Sequence, residues 1–358
     1  MITIIYPYKD REFERVKRSL DSLTEQTNSN FEVLLVDYGS DLTYAPIIKE
    51  LISNYKFAKY LYNYSRFQPW SRAKAINIGL KNVTAEYVFT ADVDMIFSPN
   101  FVSRLHELKN PFKTYYFKVG FLNKKESKAD KKFEDFEIDF SSEVGAQGLS
   151  LFYLRSLKAV TGYDEFLHFW GAEDIDVHNR LEKNGTESIF YSEEILMLHQ
   201  WHTSYRKAEK TVLTKDLQLI DVVRINYQKL LGNTQSKRVE VNNVDWGIGI
   251  LENDFEDLKN NKEERLMLNK KEIITHFLFC ELPNFKNGIL NIRFVKDPFQ
   301  NTSKYKTKNF LGKKVPKYYT LKEINDLLLL HTISFYHTLP YSLEVDDDLN
   351  SIAFKIKK

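Results

Sequence analysis

Along the first two hundred residues, short apolar runs alternate with stretches in which apolar positions recur every three or four residues. ITIIYP (2 to 7) is the first run. In DREFERVKRSLDSLTEQT, Phe13, Val16, Leu20 and Leu23 then return at helical spacing, and FEVLLVD (31 to 37) is a second run. This is the strand, helix, strand rhythm of a mostly parallel sheet flanked by helices, an α/β fold of Rossmann-like type. It continues: YAPIIKELISNY predicts a helix, AKYLYNY a strand, SRAKAINIGLKNV a helix and EYVFTADVD a strand. In open sheets of this kind ligands gather outside the carboxyl ends of the strands. Three polar clusters, YPYKDR, VDYGSD and ADVD, fall at such ends and so line one crevice.

Residues 110 to 147 read as an irregular, charged insertion, with NKKESKADKKFEDFE solvated. The stretch from LSLFY to LEKNG then predicts strand, helix, loop and helix, stopped by Gly185. ESIFYSEEILMLHQWH returns to strand character and ends in two histidines. Beyond about residue 204 the style changes. VLTKDLQLIDVVRINYQKLLG and TLKEINDLLLLHTISFYHTLP predict amphipathic helices, the second opened by a Thr320 and Glu323 capping box, and NGILNIRFV and SIAFKIKK predict strands. The expected division is a first domain at 1–205 and a smaller α/β or mainly helical one at 206–358, of unknown role.

Composition adds boundaries to this picture. The chain has 358 residues, 43% hydrophobic and 28% charged, with a net charge of +2, so no strong overall field argues for nucleic acid or a membrane surface. Lysines near the C-terminus still leave room for a local basic face. Cys280 stands alone, which rules out an internal disulfide framework and suits a reducing compartment, and its flanks THFLFCELP read as a buried core thiol. MITIIYPYKDR enters a strand at once, with neither a basic leader nor a long apolar segment, and no transmembrane span is evident. The expectation is a cytoplasmic protein, compatible with peripheral membrane association.

The chemistry starts at YVFTADVDMIF, where Asp92 and Asp94 interrupt an apolar run. A buried, unpaired carboxylate is costly, and residues i and i+2 of an extended chain share a side, so the two can converge on one partner. They read either as turn and capping carboxylates or as a divalent-metal site for a diphosphate, where oxygen ligands suit magnesium or manganese. HFWGAEDIDVHNRL places Glu173, Asp174 and Asp176 at a loop-to-helix junction that also favours carboxylates for capping and the helix dipole. Phe169 and Trp170 just before them offer a ring face for a sugar beside a carboxylate able to take a hydroxyl proton. In LMLHQWH, His199 and His202 end a strand, as satisfied structural residues or as ligands of a metal or phosphate.

The order of these blocks carries a resemblance. IIYPYKDR, WSRAKAINIGL, TADVDMI, HFWGAEDIDVHNRL and MLHQWH follow one another as the equivalent blocks of β-1,4-galactosyltransferases do. SLTEQTNSNFEVLLVDYGS resembles the start of the family 2 inverting transferases, including bacterial chondroitin-type polymerases. The resemblance covers about residues 1 to 205. It implies a GT-A fold that binds a UDP-sugar with Mn2+ or Mg2+. Asp94 would be the direct metal ligand, His199 the preferred further ligand and Met197 a soft neighbour, with Asp92 facing the donor sugar or ribose. His202 would lie near the diphosphate and Arg72 would reach it. Pro7, Tyr8, Arg11 and Asp37 would hold the nucleoside, and Gly148 would let the backbone approach the donor. Trp170 and the Glu173–Asp174 pair would receive the acceptor, with Asp174 as general base.

The implied activity is inverting transfer of a hexose or N-acetylhexosamine, galactose-type favoured, to a glycan or glycolipid hydroxyl in surface polysaccharide synthesis. The chain departs from the family pattern at Tyr38, where a second acid is usual, at Ala172, which replaces a glycine, and in the closer spacing of Met197 and His199. Two rivals remain at this stage. A sugar-1-phosphate nucleotidyltransferase would want a glycine-rich basic loop after the first strand, which YPYKDREFE lacks. A catalytically silent carbohydrate-binding or scaffold subunit would have no need of Asp94, Asp174 and His199 together.

Overall fold

A computed structural model describes residues 1–203 and 210–358. The chain divides into two units. The first comprises, of the described residues, 1–63, 70–203 and 223–249; the second comprises 64–69, 210–222 and 250–358.

In the first unit the expected rhythm is present: β1 (Ile2–Tyr8), α1 (Phe13–Thr24), β2 (Phe31–Asp37), α2 (Ala45–Ser53), β3 (Ala58–Tyr62), α3 (Arg72–Asn82) and β4 (Tyr87–Thr90). Next come β5 (Met95–Phe97), α4 (Phe101–Glu107), β6 (Lys113–Phe117), β7 (Gly120–Phe121), β8 (Phe140–Ser141) and β9 (Ser150–Tyr153). α5 (Leu154–Ala159), α6 (Glu173–Lys183), β10 (Glu187–Tyr191), β11 (Met197–His199) and α7 (Val222–Gln235) follow. Among the described residues a seven-stranded sheet runs β10-β6-β9-β4-β1-β2-β3. Its pairs are parallel except those of β9, which runs antiparallel to β4 and β6. The central strands are buried on both faces, as their continuous apolar runs require. In α1 the spaced residues Val16, Leu20 and Leu23 are buried, whereas Phe13 at its start is 36% exposed.

The charged insertion is more ordered than its composition implies. It supplies β6 to the main sheet, and it supplies β7 and β8 to a second sheet ordered β5-β11-β7-β8. Glu126 is buried and paired with Lys131 at 2.8 Å, and the hydroxyl of Ser127 accepts from the Trp201 amide at 2.6 Å. A stretch of mixed charge is left to solvent only where its side chains find no partner, and here Glu126, Lys131 and Ser127 find theirs.

The expected boundary at 205 lies outside the described residues, but the division differs from it on either side. Residues 223–249, expected in the C-terminal part, pack with the first unit because their polar groups complete its loops. Asn242 Nδ2 donates to the carbonyls of Thr161 (2.7 Å) and Tyr163 (2.6 Å), and the Gly247 amide donates to Glu165 Oε1 at 2.7 Å. Gly247 has φ +71° and lies so close to α3 that a Cβ would stand 2.7 Å from the Asn77 carbonyl oxygen. Trp246 is buried in the core beside it. Asn77 itself latches α3 to the 163–165 loop, donating to the Tyr163 carbonyl (2.8 Å) and Glu165 Oε1 (3.0 Å) and accepting from the Tyr163 amide (2.8 Å). The helix expected over 212–232 begins only at Val222, after Asp221 at φ +57°.

The second unit contains α8 (Glu252–Asn260), β12 (Arg265–Leu268), α9 (Lys271–His276), α10 (Leu282–Asn284), β13 (Ile289–Val295), α11 (Ser303–Phe310), α12 (Leu321–Phe335), β14 (Tyr341–Val345) and β15 (Ser351–Lys357). Its sheet runs β12-β13-β15-β14. The Thr320 and Glu323 capping box forms at the start of α12. Cys280 is exposed, not a core thiol: it follows the buried Phe277 and Leu278 on the outward side of a wide, π-type turn. No helix among the described residues is long and apolar enough to cross a membrane.

The Asn77 latch generates a stability prediction. Asn77→Ala leaves the Tyr163 amide unpaired in the interior, while the carbonyl keeps its bond from Asn242, and should cost roughly 1–3 kcal/mol. Urea unfolding followed by tryptophan fluorescence reads this, and an unchanged midpoint would show that the latch does not hold the loop.

Candidate active site

Two clusters form where β4 hands the chain to β5, and each takes one of the paired aspartates. The two carboxylates do not converge on one partner. The strand ends at Thr90, and the bend through residues 91 to 94 sends them apart.

Asp94 is buried, at 6% exposure, and faces two imidazoles. His202 Nε2 lies 3.3 Å from its Oδ2 and His199 Nε2 lies 3.6 Å from its Oδ1. One ligand atom from each of the three residues lies within 4.8 Å of the others. Oδ1 is buried and has no hydrogen-bond partner. Burial works to raise the Asp94 pKa, but the charges of His199 and His202 overcome it and hold the carboxyl below the usual range. The hydrogen bond that His202 donates to Asp94 raises the pKa of the imidazole. A buried acceptor aimed at two imidazole nitrogens, with an oxygen left unpaired, is a donor set that fits a divalent cation.

His199 is placed by the second sheet. β11 pairs antiparallel with β5 and parallel with β7, so His199 lies opposite Met95 on one side and Phe121 on the other. The Phe121 ring packs on the imidazole at 4.9 Å and stacks in turn on Phe140 at 4.6 Å. Met197, two residues earlier on the same strand face, is fully buried in the main core cluster, where packing accounts for it.

Arg72 organises the second cluster. Ser71 caps α3, its hydroxyl accepting from the Lys74 amide at 3.2 Å and donating to the Leu167 carbonyl at 3.1 Å, so Arg72 begins the helix at a defined point. Its Nε donates to Asp92 Oδ1 (3.0 Å), Nη1 to Asp174 Oδ1 (2.8 Å) and Nη2 to the Gly148 carbonyl (2.8 Å). Gly148 thus meets protein groups: a Cβ there would stand 3.0 Å from Asp174 Oδ2 and 3.8 Å from Arg72 Nη2. Burial would lower the Arg72 pKa, but the charges of Asp174 and Asp92 raise it well above its ordinary value.

Asp174 and Glu173 open α6 after a strained approach. Phe169 and Ala172 take φ of +64° and +76°, conformations that cost a non-glycine residue of order 1 kcal/mol or more. Asn226 of α7 holds this turn, donating to the carbonyls of His168 (2.9 Å) and Trp170 (3.1 Å). The Trp170 side chain is left 37% exposed beside the carboxylates. Burial raises the pKa of Asp174, with Arg72 opposing and Asp92 assisting. Glu173 is pushed up to about 7, first by burial and then by the charge of Asp174.

The remaining expected residues lie at the ends of β1 and β2. Pro7 and Tyr8 pair in register with Val36 and Asp37. Tyr8 donates its hydroxyl to the Arg11 carbonyl at 2.9 Å, and the Arg11 residue is exposed. Asp37 is fully buried; its Oδ1 accepts from the Ser40 amide (2.7 Å) and its Oδ2 from the Tyr60 hydroxyl (2.6 Å), so it shapes the loop after β2. Two residues of the quoted acidic block are structural. Asp176 pairs with buried Arg180 at 2.7 Å, and His178, driven down to about 4 by burial, sits between the hydroxyls of Ser150 and Ser188. Phe121, which backs His199, escaped sequence reasoning because nothing in a charged insertion marks one phenylalanine.

Comparison with known proteins adds to this geometry. Residues 3–131 match the family model described as Glycosyl transferase family 2, and residues 128–203 match the one described as N-terminal domain of galactosyltransferase. The chain is 22% identical over 207 residues to chondroitin sulfate synthase 3 of Mus musculus, covering 53% of this chain and 23% of that one. It is 24% identical over 252 residues to an uncharacterized glycosyltransferase of Haemophilus influenzae, covering 68% of this chain and 81% of that one. The chain thus spans about a quarter of the length of the mouse relative, at 23%. A solved structure described as GalNAc-T7 with UDP, GalNAc and Mn2+ is 12% identical, with a TM-score of 0.49, over 66% of this chain and 49% of that one.

A pH dependence follows from Glu173. Its folded pKa of about 7 lies above the ordinary 4.5, so the stability tied to its proton is complete below about pH 4.5 and is lost as the pH rises through 7. Glu173→Gln stays neutral throughout. In calorimetric scans the wild type should lose melting temperature relative to this variant between pH about 4.5 and 7; parallel profiles would show that the carboxyl titrates normally.

Proposed function

With residues 3–203 belonging to the family 2 and galactosyltransferase-like glycosyltransferases of the GT-A type, we propose that this chain is a metal-dependent inverting transferase. It moves a hexose or N-acetylhexosamine, galactose-type favoured, from a UDP-sugar to a hydroxyl of a glycan or glycolipid acceptor. The observation that carries the reading is the buried Asp94 carboxylate with an unpaired oxygen beside His199 and His202, two residues from the Arg72 bridge. Surface polysaccharide synthesis in the cytoplasm is the setting we propose, and the single cysteine is consistent with a reducing compartment.

In this reading Asp94, His199 and His202 would hold a manganese or magnesium ion, while Met197 stays in the core. When bound, the ion supplies positive charge to the leaving diphosphate as the anomeric bond breaks. The DxD sequence therefore splits its work: Asp94 serves the cation, and Asp92 orients Arg72. Arg72 spends three N–H groups on Asp92, Asp174 and the Gly148 carbonyl, and a guanidinium has five, so two remain for diphosphate oxygens. Pro7, Tyr8, Arg11 and Asp37 border the nucleoside at the carboxyl ends of β1 and β2, where open α/β sheets take their ligands. Trp170 offers its exposed ring to the acceptor sugar.

Asp174 takes the acceptor proton. Its Oδ1 is fixed by Arg72, while its Oδ2 faces the bare α-carbon of Gly148. Burial makes it a stronger base than a solvated carboxylate, and the bond from Arg72 keeps it ionised. Glu173, close to neutral pH in its titration, gives the pair a second site for that proton.

The test combines binding and turnover. Mn2+ with one UDP-sugar should raise the melting temperature, and chelator should abolish the shift. Asp174→Asn should keep the shift and lose about 10²- to 10⁴-fold in transfer rate, whereas Asp94→Asn should lose the shift itself. No stabilisation by any metal and nucleotide-sugar pair, or full turnover by Asp174→Asn, would overturn the assignment.

A further inference from the structure

The second unit carries a concentrated positive face that the transfer chemistry leaves unused. Residues 302–319, TSKYKTKNFLGKKVPKYY, hold six lysines (304, 306, 308, 313, 314 and 317) and no acid, in a chain whose net charge is only +2. All six are exposed. Among the described residues, the ion pairs of this unit engage other side chains and none of these ammonium groups.

The segment is held in place. Thr302 caps α11 by accepting from the Tyr305 amide at 3.2 Å. The Tyr305 ring packs edge-on against Phe299 (5.7 Å) and Tyr318 (5.5 Å), which brings the returning chain back beside the helix. Where α11 ends, between the two groups of lysines, Phe310 is 90% exposed and Leu311 57%. Six unpaired cations draw anions, and two large apolar side chains at their centre draw an apolar phase. A soluble polyanion meets only the first demand. A bilayer with anionic headgroups meets both, since lysine stems lie along the interface while aromatic and aliphatic side chains enter the acyl boundary.

We propose that this face docks the protein on an anionic phospholipid surface, with Phe310 and Leu311 inserted and the six lysines over the headgroups. It depends on no step of the transfer reaction, so it stands or falls separately from the proposed activity.

Co-sedimentation of the full chain with vesicles tests it. Binding is expected to phosphatidylcholine vesicles containing phosphatidylglycerol, to fall with added salt, and to be absent from pure phosphatidylcholine. Each lysine near such a surface contributes roughly five-fold in affinity, so the four changes Lys304→Gln, Lys306→Gln, Lys313→Gln and Lys314→Gln together should weaken binding by about several hundred-fold. Phe310→Ser with Leu311→Ser should weaken it by about ten-fold or more at every salt concentration. No vesicle binding, equal binding to neutral vesicles, or tight binding to heparin with the Phe310→Ser and Leu311→Ser variant unaffected on vesicles would overturn it. The altered residues are exposed, and circular dichroism verifies that the variants fold.

Discussion

A largely buried guanidinium shared by two partly exposed carboxylates is the constraint on which the site of the first unit depends. Arg72 could not be dehydrated alone, and neither Asp92 nor Asp174 could approach so closely without it. Together they tie the start of α3, the bend after β4 and the start of α6, segments far apart in sequence. The Gly148 carbonyl completes the arrangement, and the missing side chain at that position leaves room for Asp174. The acid that fits the role of base is thus held by the same group that faces the proposed leaving charge, so proton acceptance and charge neutralisation share one scaffold.

The same accounting separates functional from structural polar residues. Asn77, Asp176 and His178 belong to sequence blocks as suggestive as those of the site, but their polar groups are met inside the protein. Arg180 leaves one nitrogen without a partner, yet its others reach Asp176 and the Val160 carbonyl, and nothing around it is arranged to receive a ligand. Asp94 is different: its unpaired oxygen faces two imidazoles whose nitrogens can ligate. A buried acceptor is stable without protein donors only if something from outside meets it, and that is the physical ground for reading the cluster as a cation site.

The second unit follows other rules. Its sheet and capped helix α12 form a conventional core, and its surface carries the unusual feature, a basic segment pinned by Tyr305 with apolar side chains turned outward. The polar groups of the proposed site in the first unit are drawn inward and those of the basic segment in the second are displayed, which is the difference between a site for a small charged ligand and a face for an extended one.

Periodicity alone determined the mostly parallel sheet and the order of its strands and helices through β4, because burial on both faces demands continuous apolar runs and each flanking helix needs one apolar stripe. The ordered motifs carried the resemblance to the family 2 and galactosyltransferase-like transferases and singled out Asp94, His199, Arg72 and Asp174 as candidates. Tertiary structure decided what local pattern could not carry. It sent Asp92 and Asp94 to different partners through the bend at residues 91 to 94, brought His202 to Asp94, and turned Gly148 toward Arg72 and Asp174. It made part of a charged insertion into the strand that backs His199, and it returned residues 223–249 to the first unit. Each of these outcomes rests on pairing between groups distant in sequence, where the cost of leaving a buried or half-buried polar atom unpaired outweighs the preferences of the local chain.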